Sequence, residues 1–192
     1  MKNKSVLRLT ISAIMMALCY VSFAFLKITI PTPLGYTSFH LGNVMCVVAA
    51  LLLGGVTGGL VGAIGMGIGD ILDPLYIMIA PKTIILKMMI GLVVGAFSHK
   101  IFKIKDKEGG KLTKAVILSS AAGMIANMIG EPVFGYFYYK FVLSAPDKAL
   151  HALVGYNLVS TTINACLTVI LATVIYLTIR KRLKNIYSNL ND

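Results

Sequence analysis

Gly54-Gly55-Val56-Thr57-Gly58-Gly59-Leu60-Val61-Gly62-Ala63-Ile64-Gly65-Met66-Gly67-Ile68-Gly69-Asp70-Ile71-Leu72-Asp73-Pro74 holds eight of the chain's 18 glycines. Phe39-His40-Leu41-Gly42-Asn43 and an apolar run to Leu53 precede it. After Ala80-Pro81 a third run opens with Lys82 and carries Lys87 inside it. Small residues four apart (Gly54, Gly58, Gly62; Gly65, Gly69) let helix backbones approach closely in lipid, where no hydrophobic effect drives helices together. The runs flanking the double-glycine break are about 14 and 17 residues, roughly 21 and 25 Å of helix. Neither fully crosses a hydrocarbon core of about 30 Å. Short, glycine-interrupted apolar segments with ionisable residues at their ends mark the binding site of a transporter.

Composition agrees. The chain is 57% apolar and 13% charged, with a mean hydropathy of +0.84. These values describe an integral membrane protein and exclude a soluble domain. The net charge of +11 does not point to nucleic acid, because the basic residues cluster at helix ends and no RNA- or DNA-binding motif accompanies them. Cys19, Cys46 and Cys166 lie far apart in apolar runs, which fits buried free thiols and not a metal site. The basic, apolar N-terminus lacks a small-x-small cleavage site and reads as an uncleaved first helix.

The pattern predicts an all-α membrane protein, residues 1–192 forming one domain of six transmembrane helices. Their expected extents are about 6–26, 41–53, 56–72, 82–102, 113–139 and 150–179. A proline-punctuated segment, Lys27 to Ser38, follows helix 1. Pro31 and Pro33 push their predecessors toward extended backbone, so this segment is expected to be stiff and not helical. Charge fixes the topology. With a turn at the glycine break both termini share a side, and 13 of the 18 basic residues face the cytoplasm. A single long helix over 41–72 would erase that asymmetry.

Under this topology the intramembrane polar groups converge on the outer half of the bundle. His40 and Asn43 open helix 2, Asp70 and Asp73 close helix 3, and Lys82 and Lys87 begin helix 4. Asn127, Glu131 and Tyr138 recur near one face of helix 5, and Asn157, Thr161 and Asn164 on one face of helix 6. Ionisable residues within a bilayer are costly and mark a site or a water-filled cavity. Ligand contacts are therefore expected from Asn43, Asp70, Lys87, Asn127, Glu131, Tyr138, Asn157 and Asn164. No catalytic residue, metal site or cofactor is expected. Plainer roles compete at several positions. Asp73 also reads as an interfacial helix end and Lys82 as a snorkelling anchor. Glu131 also reads as support for backbone broken by Pro132, the tyrosines as an aromatic belt, and Asn157 and Asn164 as interhelical hydrogen bonds.

The ordered set Gly35-Tyr36, Leu41-Gly42-Asn43, Ala49-Ala50-Leu51-Leu52-Leu53-Gly54, Gly58-Gly59-Leu60-Val61-Gly62, Gly69-Asp70 and Pro81 through Ile84-Ile85-Leu86-Lys87-Met88-Met89-Ile90-Gly91 resembles the substrate-binding (S) components of energy-coupling factor transporters. These are vitamin-uptake systems of prokaryotes, and the likeness is closest to the riboflavin, pyridoxine and hydroxymethylpyrimidine branch. It implies a six-helix bundle in the cell membrane. Its ligand, a B vitamin or related small aromatic precursor, is taken up from outside, and the loop between helices 1 and 2 gates the site; Pro31, Pro33, Gly35 and Tyr36 fall in that loop. It also implies partners, a transmembrane T subunit and two ATPase subunits. Ala13-Ile14-Met15-Met16-Ala17 matches the small-residue motif that docks on the T subunit. Read without the resemblance, Ala13 and Ala17 equally suit packing inside the bundle.

The sequence has no GxxxxGK[ST] phosphate loop, so energy for active transport would come from partners. It has no HExxH and no GxSxG, which argues against an intramembrane enzyme. A solitary facilitator, with Glu131 or Asp70 as its proton site, stays open at this point. An assembly subunit without a ligand would leave the converging polar residues unexplained.

Overall fold

The computed structural model describes residues 2–32 and 35–182. Among the described residues there are six α-helices: α1 (Lys2–Ala24), α2 (Gly42–Leu53), α3 (Gly55–Ile71), α4 (Ala80–Gly95), α5 (Gly109–Phe137) and α6 (Asp147–Arg182). α4 runs on into a π-helical turn over Ala96–Ile101, and α5 into another over Tyr138–Val142. Four helical stretches are long and apolar enough to cross a membrane: Lys4–Ala24, Ile77–Ile101, Gly109–Val142 and Asp147–Arg182. α2 and α3 are shorter, at 12 and 17 residues.

The shortness of α2 follows from its position. Every residue from Gly42 to Leu53 except Met45 is buried. A helix that is apolar all round belongs in a core, and α2 needs no lipid-facing length. One buried cluster draws side chains from all six helices, with Val44 to Leu53 of α2 at its heart.

α3 is the hub on which α1, α2 and α4 close, and its glycines face each of them. A Cβ on Gly58 would lie 2.3 Å from Ala50 Cα on α2, and one on Gly65 2.9 Å from Met16 O on α1. Toward α4 the fit is tightest: a Cβ on Gly91 would lie 2.1 Å from Gly59 N, and one on Gly95 2.2 Å from Gly55 Cα. Two glycine pairs four residues apart thus face each other, and backbone meets backbone. The break between α2 and α3 is a single residue, Gly54, whose φ of 96° is open to glycine at little cost.

The segment Lys27 to Ser38, expected as a stiff loop, falls within an antiparallel hairpin of β1 (Lys27–Thr32) and β2 (Gly35–His40). Its register runs from Lys27 opposite His40 to Thr32 opposite Gly35. Pro31 sits on β1, where a missing N–H costs nothing if it faces away from the partner strand. Pro33 lies outside the described residues.

Side chains tie each end of the bundle together. Arg8 donates to Leu53 O at 2.9 Å, His99 Nε2 lies 3.1 Å from Ala50 O, and Arg180 donates to the carbonyls of Ile104, Lys105 and Lys107. The start of α1, the α2–α3 turn, the α4–α5 connection and the end of α6 therefore share one end. The hairpin, Asp73 and the start of α4 occupy the other. Ala13 and Ala17 are exposed on α1, whose inner face is Ser12, Met15, Cys19, Ser22 and Phe23. Packing of the two alanines inside the bundle is thereby excluded.

Candidate functional site

Beneath the hairpin lies a cavity of about 60 Å³. Its walls come from every helix. Phe23 ends α1, Asn43 opens α2, Asp70 closes α3, and Lys82, Thr83 and Lys87 line the first two turns of α4. Asn127, Glu131 and Tyr139 contribute from α5 and its π turn, and Asn157, Ser160, Thr161 and Asn164 from α6. Tyr36 to Ser38 and His40 form the lid.

Seven of the eight residues singled out from the sequence line this cavity: Asn43, Asp70, Lys87, Asn127, Glu131, Asn157 and Asn164. Tyr138 does not. Its hydroxyl donates to Met78 O at 2.8 Å, and Tyr139 takes the place expected for it.

The ionisable groups have sorted partners. Lys82, expected as a snorkelling anchor, is instead 2% exposed; it donates to Glu131 Oε1 and lies over the Tyr139 ring. α5 passes through Pro132 without interruption, so Glu131 serves this ion pair and not a broken backbone. Lys87 is also buried; its backbone carbonyl accepts from Cys46 Sγ at 3.7 Å, and its ammonium forms no ion pair with any described residue. Asp70 is 1% exposed, and its Oδ2 has no partner. Asn43 Oδ1, Asn127 Oδ1 and His40 Nδ1 are likewise buried and unpartnered. Burial holds the His40 imidazole well below its ordinary value, and the charges of Lys87 and Lys27 act in the same direction. Buried polar atoms in native proteins are almost always hydrogen-bonded, so four such atoms around one cavity mark it as a place for a polar guest.

The lid is pinned from two sides, by α6 and by the α3–α4 connection. Asn164 acts as a surrogate strand: its Oδ1 accepts from His40 N and its Nδ2 donates to Ser38 O, each at 3.0 Å. Ser160 Oγ donates to the same Ser38 carbonyl at 2.9 Å. Tyr76 donates to Thr37 O at 3.3 Å. At the root of the hairpin Lys27 pairs with Asp73 at 2.5 Å and lies over the Tyr76 ring, 4.6 Å from its centroid. Partial burial works to raise the Asp73 pKa. The hydrogen bonds from Lys27 and from Leu75 N–H, with the Lys27 charge, outweigh it and hold the carboxyl below its ordinary value. Sequence alone left Asp73 as an interface residue, and nothing local joins it to a lysine 46 positions earlier.

Among the described residues no three His, Cys, Asp or Glu side chains gather as a metal site would require.

The bundle, the polar cavity and the lid define a membrane-embedded binding protein. The chain matches the model of the family described as ECF-type riboflavin transporter, S component, over residues 3–181, and it belongs to that family. It is also 28% identical over 130 residues to a Pyrococcus woesei protein described as "Uncharacterized protein in gap 3'region". That match spans 68% of this chain and 76% of the relative. No solved structure matches the chain. The family is one of transporter components and not of enzymes.

Proposed function

We propose that this S component captures a B vitamin or related small precursor at the outer face of a prokaryotic cell membrane and delivers it with a T subunit and two ATPase subunits. The observation that carries the reading is the cavity, where four unpartnered buried polar atoms meet under a lid fastened by side chains from α6 and the α3–α4 connection. Ligand contacts come from Asn43, Asp70, Lys87, Asn127, Glu131 and Asn157, while Asn164 is spent on the lid. Small-molecule sites typically span about 300–1,000 Å³. A cavity of about 60 Å³ must therefore enlarge, which is the task of the hairpin carrying Pro31, Gly35 and Tyr36.

All six helices lie across the bilayer, with both termini cytoplasmic. Lys2 to Arg8, Lys100 to Lys114 and Arg180 to Arg182 cluster at the end opposite the cavity, as the positive-inside rule requires of the cytoplasmic end. The exposed Ala13 and Ala17 supply a flat strip on α1 for the T subunit.

Uptake of radiolabelled vitamins into cells lacking their own system tests the reading. Cells with this chain alone should bind ligand without accumulating it, and cells that also carry the T and ATPase subunits should accumulate it. Accumulation by the chain alone would establish a solitary carrier and overturn the proposal.

A further inference from the structure

Only some of the charges around the cavity and its lid are held in ion pairs. Lys82 and Glu131 satisfy each other, and Lys27 and Asp73 do the same at the lid. Asp70 and Lys87 remain, one on α3 and one on α4, lining the same cavity without forming an ion pair. Buried charges are costly; Thr83 hydrogen-bonds the Asp70 carboxylate and Glu131 attracts Lys87 from a distance, but neither Asp70 nor Lys87 is held in an ion pair. The unmatched atoms are also unequal in kind. Asp70 Oδ2, Asn43 Oδ1 and Asn127 Oδ1 only accept hydrogen bonds, and the Lys87 ammonium only donates.

From this we infer that the ligand is a small zwitterion, whose cationic, N–H-bearing side meets Asp70 and whose anionic oxygen meets Lys87. A neutral molecule can hydrogen-bond both groups but leaves two separated formal charges buried. A simple cation or anion neutralises one and strands the other. A zwitterion neutralises both, and the acceptor amides of Asn43 and Asn127 take its remaining N–H and O–H groups. This inference rests on the S-component reading and narrows its substrate by charge.

Calorimetry on the detergent-purified full chain, with four probes of different charge type, tests it. The probes are pyridoxine (a 3-hydroxypyridine, zwitterionic near neutral pH), thiamine (cation), biotin (anion) and riboflavin (neutral, three fused rings). Pyridoxine should bind about 100-fold or more tighter than each of the others. Lys87→Met and Asp70→Asn should each weaken it by about 10- to 150-fold. A purely structural lysine would not alter charge preference. A second comparison uses the 3-O-methyl ether of pyridoxine. The ether lacks the phenolate and, its ring nitrogen being weakly basic, the pyridinium proton as well, so Lys87→Met should discriminate against it at least about 10-fold less than the parent protein does, the remaining preference arising at Asp70. Tighter binding of riboflavin, thiamine or biotin would overturn the inference, and so would unchanged discrimination against the ether in Lys87→Met. Binding of none of the four by folded protein would overturn it as well. The S-component reading fails separately, by loss of co-purification with T and ATPase subunits.

Discussion

Replacing Asn164 with alanine should unfasten the lid without touching the ligand. The side chain is buried and makes two hydrogen bonds to β2, one from His40 N–H and one to Ser38 O. Ser38 O keeps Ser160 as a donor, but the His40 N–H loses its partner. At about 0.5–1.5 kcal/mol per bond, the loss is about 1–3 kcal/mol, or roughly 5- to 150-fold in the closed-to-open ratio. Dissociation of prebound labelled vitamin into excess cold ligand reads this directly. Asn164→Ala should speed release by that factor and leave association within a few-fold, because most interface changes act on the off-rate. The factor should be the same for every ligand that binds, since the lost contacts are to the lid. Ser160→Ala should couple to it non-additively, because both side chains hold Ser38 O. An unchanged off-rate would refute the latch. So would an effect confined to ligands bearing one particular group, which would return Asn164 to the role of a direct contact.

Other consequences follow from the same geometry. The Asp73 carboxyl is held below its ordinary pKa, so its contribution to closure is complete above about pH 4 and lost as pH falls through the lowered folded value. Ligand release should not change through this pair between about pH 8 and about pH 5, and should quicken below about pH 4 in a manner abolished by Asp73→Asn; acceleration beginning near neutrality would contradict the latch. Gly91→Ala places a methyl 2.1 Å from Gly59 N, where backbone cannot yield, and should cost about 3 kcal/mol or more in a detergent unfolding assay. An unshifted transition would mean that α3 and α4 are not in backbone contact. Glu131→Gln strands the buried Lys82 charge and should destabilise by about 3–5 kcal/mol, while Glu131→Leu with Lys82→Met should recover most of that; no recovery would refute the ion pair as the cause. Ala13→Trp with Ala17→Trp should leave stability and vitamin binding intact but abolish uptake and co-purification with the T subunit. Normal uptake would exclude the docking strip.

Much of this site was legible because a bilayer makes polar residues expensive. Asp70, Lys87 and Asn127, standing in apolar runs, needed a shared cavity, and the helical period put them on inward faces. Glycines four apart announced close helix contacts, although the pairing of Gly55 and Gly59 with Gly91 and Gly95 depends on how α3 and α4 cross. What stayed hidden depends on contacts distant in sequence. The hairpin carries no tight-turn dipeptide, and β2 is held by Ser160 and Asn164, more than 120 residues later. Lys82 looked like a surface anchor because nothing in the sequence shows that the lid and Tyr139 would enclose it.

A ligand-bound structure of the full chain tests the central claim most directly. The account predicts the vitamin beneath the hairpin, touching Asp70 and Lys87, with the Ser38 and His40 hydrogen bonds to Asn164 retained. A ligand seated outside the lid, in the apolar groove formed by Ile30, Phe39 and Tyr156, would contradict it.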